Sequence, residues 1–110
     1  MKTEIISSKK TYTTGRLVKS ATKTFKVTAP GRGPNAGCSF VFRASGRPAQ
    51  IGDGDWRIDV WSGGSHQWNP FAEACEIPFL DPQADMDKDV DKNIERMVEH
   101  AETFVAKVTP

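Results

Sequence analysis

Val90-Asp-Lys-Asn-Ile94-Glu-Arg-Met97-Val98-Glu-His-Ala101-Glu-Thr-Phe104-Val105-Ala-Lys-Val108 carries an apolar side chain at almost every third or fourth step. Met86 extends the series upstream. Those spacings put the apolar groups on one side of an α-helix, in a stripe wide enough to seat it on a core. Asp81-Pro82 stands where such a helix would begin, with Asp as N-cap and Pro at the first helical position. Asp81, Asp85, Asp87, Asp89 and Asp91 crowd the early turns, where the macrodipole favours anions; Lys107 lies near the end. The pattern predicts a C-terminal helix over 81–107. A helix of about 24 residues is about 36 Å long at about 1.5 Å per residue. A compact domain of this chain length has a similar diameter. The helix must therefore cross whatever the preceding residues build.

Residues 1–80 read mainly as strands and loops. Thr3–Ser7 is short and apolar at Ile5 and Ile6, and Lys10–Thr14 and Arg16–Ser20 flank Gly15. Thr24–Thr28 alternates, with Phe25 and Val27 on one face and Thr24, Lys26 and Thr28 on the other. Cys38–Ala44 alternates as well, with Cys38, Phe40 and Phe42 opposite Ser39, Val41 and Arg43. Two Pro and three Gly between Ala29 and Gly37 forbid regular structure there. Gly52-Asp53-Gly54-Asp55 supplies turn chemistry between Ala49–Ile51 and Trp56–Trp61. In that last strand Trp56, Ile58 and Val60 share one face; Arg57, Asp59 and Trp61 share the other. Trp61 is thus an apolar ring on a polar face, touching a covering loop or open to a partner. Ser62–Trp68 reads as a second loop. Asn69-Pro70 repeats the cap-and-proline signal and predicts a short helical turn near 70–76. The fold expected is α+β: one domain over 1–110, with an antiparallel sheet of four to five strands. The long C-terminal amphipathic helix packs on one face of that sheet.

The 110 residues hold 15 Lys and Arg against 14 Asp and Glu, a net charge of +1 that conceals a division. Residues 1–52 hold ten of the basic groups and one acid, Glu4; residues 53–110 hold five and thirteen. The halves therefore carry +9 and −8. Such asymmetry points to a polyanion-binding face or to an acidic interaction segment, unless the halves neutralise one another on folding. The opening residues lack the apolar block of a signal peptide, and no run reaches the roughly 18 apolar residues of a membrane span. The chain reads as cytoplasmic with no membrane partner, and Cys38 and Cys75 as reduced thiols.

Catalytic motifs fail on inspection. Gly31-Arg-Gly-Pro-Asn-Ala-Gly37 lacks the Gly-Lys-Ser/Thr ending of a phosphate loop and leads into a strand. Asp85-Met-Asp-Lys-Asp-Val-Asp91 matches the first acidic positions of a calcium loop. It has Val90 where Gly is required and Arg96 where a bidentate Glu is required. His66, His100 and the two Cys show no zinc spacing, and nothing local makes a Cys75–His66 nucleophile. Asp53 and Asp55 are explained by the turn, and Asp59 by a cross-strand Arg or Lys. No enzyme activity and no cofactor are implied.

Binding surfaces remain. Lys19, Lys23, Lys26 and Arg43 lie on or beside Thr-rich strands, Arg32 and Arg47 in adjoining loops, and Trp61 could stack a base. Single-strand binders combine such charge along the backbone with aromatic platforms. The first expectation is a non-catalytic protein binding a polyanion, nucleic acid above all, or a complex that handles it. The strand-borne basic groups are expected on one side of the sheet. The alternative is a protein–protein interaction or inhibitor module. It would dock through Trp61, Trp68, Asp85, Asp87, Asp89 and Asp91, the acidic helix and the Trp-bearing loop together. Small, motif-poor domains of divided charge are common among phage and mobile-element accessory proteins, which suits either reading.

Overall fold

The computed structural model describes residues 2–12, 18–30, 37–47, 55–73, 76–77, 80 and 90–108. The elements in chain order are β1 (Lys2–Tyr12), β2 (Val18–Thr28), β3 (Ser39–Arg47), β4 (Asp55–Ser62), β5 (Gln67–Glu73) and α1 (Val90–Val108). The five strands form one antiparallel sheet in the order β1-β2-β3-β4-β5. The helix packs against one face, so the domain is α+β with two layers.

Alternation along the strands sorts the side chains. Phe25 pairs with Phe42 and Phe42 with Val60, and Ala44 pairs with Ile58 and Ile58 with Ala72, giving two adjacent apolar rows on one face of the sheet. Against these lie Val90, Ile94, Met97, Ala101 and Val105, the buried members of the helical stripe. The Phe42 ring centroid is 5.6 Å from Phe25 and 5.1 Å from Phe71, and Phe71 meets Phe104 edge-on at 4.8 Å. Burying each large apolar side chain contributes about 1.5–3 kcal/mol. This layer is the dominant source of stability.

Two polar ties mark the direction of the helix. Lys10 Nζ lies 2.7 Å from Asp91 Oδ1, and the Thr3 hydroxyl donates to Glu102 Oε2 at 2.8 Å. α1 therefore runs antiparallel to β1. No helix among the described residues is long and apolar enough to cross a membrane.

The structure departs from the sequence reading in several places. The stretches expected as Thr3–Ser7 and Lys10–Thr14 join into β1 through a bulge, where Ile5 pairs with Phe25 and Ser7 with Thr24. β2 is likewise one long strand, Val18–Thr28. The expected helical turn near 70–76 is wrong: Gln67–Glu73 is β5. Proline is accepted in sheets on edge strands and at bulges, and Pro70 meets both conditions, with the register stepping from Ile58↔Ala72 to Asp59↔Pro70. Cys38 precedes β3 as an exposed free thiol and is not part of the buried core. Residues 81–89 of the predicted helix, Asp53 of the turn and Cys75 lie outside the described residues.

Candidate functional site

Among the described residues, no helix or strand covers the face of the sheet opposite α1. β3 sends Arg43 and Ser45 to this uncovered face, and β4 sends Arg57, Asp59 and Trp61. Arg43 pairs with Asp59, Ser45 with Arg57, and Trp61 with Trp68 of β5. β2 adds Thr22, Thr24 and Lys26; β1 adds Glu4, Ser7 and Lys9. Thr and Ser suit this half-exposed pleated surface because they satisfy their own polarity in water.

The geometry centres on Asp59, which is only 3% exposed. A carboxylate that deep must be paired. Arg43 donates from Nη2 at 3.0 Å and from Nε at 3.3 Å to Asp59 Oδ2, and Arg57 Nε lies 3.6 Å from the same oxygen. The Arg43 guanidinium also stands 4.5 Å from the centroid of the Trp68 ring, a cation–π contact. Trp68 meets Trp61 edge-to-face, with centroids 5.4 Å apart and planes at 63°. Trp61 in turn touches His66, which has a φ of 52° in the turn after β4. At 38% exposure Trp61 is both in contact with a loop and open to solvent. Asp59, Arg43, Trp68 and Trp61 form a chain in which each group orients the next.

The remaining cations of this face are held more loosely. Lys26 lies 3.7 Å from Glu4, and Arg47 lies 3.8 Å from Asp55. Lys2 pairs with Glu4 at 3.0 Å. The Lys2 ammonium hydrogen-bonded to Glu4, with Lys26 nearby, holds that carboxyl below its usual range.

The basic groups singled out from the sequence do not gather on one side. Ala21, Phe25 and Val27 face the helix, so by the two-residue repeat Lys23 belongs with them. Lys23 lines a cavity of about 270 Å³ with Lys10, Asp91 and Ile94 near the start of α1. Lys26, Arg43 and Arg47 belong to the uncovered face. Lys19 lies in β2, but its side chain and Arg32 are outside the described residues. The acidic-helix alternative is divided too. Trp61 and Trp68 occupy the face opposite the helix, Asp91 is engaged by Lys10, and Asp85, Asp87 and Asp89 are outside the described residues. Among the described residues no three His, Cys, Asp or Glu side chains are grouped to hold a metal ion. Sequence reasoning anticipated a cross-strand partner for Asp59. It missed that this partner, Arg43, is thereby committed to the fold. Comparison with protein families, curated proteins and solved structures gives no match for this chain.

Proposed function

We propose that this protein is a non-catalytic binding protein whose uncovered sheet face takes single-stranded nucleic acid. The observation that carries this reading is the row across that face: Lys26 and Val41 paired on neighbouring strands, with Trp61 and Trp68 paired beside them. An exposed ring beside cations is what a flexible strand needs, because bases stack on the ring while phosphates meet the charges. Lys26, Arg47 and Arg57 supply the phosphate contacts. Exposed ion pairs of the Arg47–Asp55 kind are worth at most about 1 kcal/mol, so a phosphate can displace the carboxylate at little cost. Arg43 acts differently, because it is bound to Asp59: it positions Trp68 and, through that ring, Trp61.

Titration with a labelled single-stranded oligonucleotide over a range of salt tests this. Each phosphate neutralised on a single strand contributes about −0.7 to the log–log slope, so three contacts give about −2. Lys26→Ala flattens the slope by about one contact. Lys23→Ala, on the other face, leaves it unchanged. Trp61→Ala weakens binding by about 1–3 kcal/mol with no change in slope, because stacking releases no counterions. Absence of binding at low salt, or an equal effect of Lys23→Ala and Lys26→Ala, removes this reading.

A further inference from the structure

β1 is an 11-residue edge strand, paired among the described residues with β2 on one side only. Nearly all of it is exposed, including Ile5 at 53%, Ile6 at 57% and Tyr12 at 58%. A long edge strand with apolar side chains in water is a template for another strand. Lysines and bulges on an edge normally guard against such pairing. In β1 their positions do the opposite for one particular partner.

The bulge at Ile6 changes the parity of the strand. Before it, Glu4 shares the uncovered face with Lys26; after it, Lys9 shares that face with Thr22. Thr3 and Ile5 before the bulge, and Ser8 and Lys10 after it, lie on the helix side. An antiparallel copy of β1, related by a twofold axis between Ile6 and Ser7, then matches face to face along its length. Glu4 stands opposite Lys9 of the second copy, and Lys9 opposite its Glu4. Ile5 stands opposite Ser8, and Lys2 opposite Thr11. On the helix side, Lys10 of the second copy arrives opposite Thr3, whose hydroxyl is bonded to the Glu102 carboxylate. The neighbouring registers that also keep faces matched put Lys2 opposite Lys9, or Ile5 opposite Lys10, and set no opposite charges against each other. Opposite charges facing across strands stabilise a pair and like charges oppose it.

We infer that the protein is a homodimer joined edge to edge through β1, in the register that pairs Glu4 with Lys9 of the second copy. The axis is normal to the sheet, so ten strands become continuous and both uncovered faces lie on the same side. The dimer does not depend on what that face binds.

Light scattering or sedimentation equilibrium, at low salt and under reductant because Cys38 is an exposed thiol, tests this. The wild-type chain is expected at twice its 12.1 kDa mass. Glu4→Lys and Lys9→Glu are each expected at the single-chain mass, because each sets like charges together twice. An equimolar mixture of these two variants is expected to return to the double mass, because every facing pair is again opposite in sign. A wild-type chain that stays at the single mass up to its solubility limit overturns the inference. So does a dimer that survives Glu4→Lys, or a mixture that fails to associate although circular dichroism shows both variants folded.

Discussion

The two faces of the sheet solve burial in opposite ways. On the helix side, Phe25, Phe42, Ile58, Met97 and Val105 exclude water by apolar packing, and the buried polar side chain there, Asn93 of α1, carries no charge. On the uncovered side, the deeply buried charge is a carboxylate, Asp59, shielded by Arg43 and Arg57 with the Trp68 ring stacked on Arg43. The first is a large core governed mainly by shape and volume. The second is a small ionic centre that needs particular partners at particular distances. Most of the stability should therefore reside on the covered face, and the specific geometry of the proposed binding surface on the other.

The largest expected effect tests the covered face. Ile94→Ala should lower unfolding free energy by about 2–5 kcal/mol in denaturant titration, as core truncations do. A loss below about 0.5 kcal/mol would show that the stripe is not the seat of the core. Gly46 probes the same layer from the sheet. It pairs with Trp56, and a Cβ there would overlap the indole ring. Gly46→Ala should cost about 1–3 kcal/mol as overpacking. A neutral result would mean that the indole can move off β3.

The ionic centre should be worth less. Asp59→Asn removes the charge that holds Arg43, at a cost of about 1–3 kcal/mol. It should also shift tryptophan emission as Arg43 releases Trp68. Asp55→Asn, whose ion pair with Arg47 is exposed, should change stability by less than about 0.5 kcal/mol. If the two substitutions cost the same, the distinction between a buried centre and a solvated polar face fails.

The smallest effect is in pH. The Asp91 carboxylate hydrogen-bonded to Lys10 raises that ammonium above its ordinary 10.5. The stability this pair contributes is complete below 10.5 and is lost as pH rises through the raised value. Glu4, lowered from 4.5 chiefly by Lys2, contributes above 4.5 and loses its share as pH falls through the lowered value. Both contributions are thus present in full between about pH 5 and pH 10, and neither should move the melting temperature within that window. Lys10→Ala should remove only the alkaline step, and an alkaline step that persists in that variant would assign it elsewhere.

Local pattern was enough for most of the architecture. The three-and-four spacing from Val90 to Val108 and the two-residue alternation at Phe25, Phe42 and Ile58 are set by backbone geometry, so the inward residues were legible before any contact was known. β5 was not, because Asn69-Pro70 carries the same local chemistry at a helix start as on an edge strand. Only the vacant side of β4 made it a strand. The division of charge between the halves was also legible, but its placement was not. The sequence put Lys26 in the strand Thr24–Thr28 and Arg43 in the next, and only the structure extended the first strand back through Lys23. A strand's period of two sends Lys23 and Lys26 to opposite faces, and which face stays open depends on where the helix lands. The cross-strand register then brings Arg43 to Asp59, two residues 16 positions apart in the chain. That pairing turns a candidate phosphate contact into a support for Trp68, because a buried carboxylate is stable only with its cation beside it.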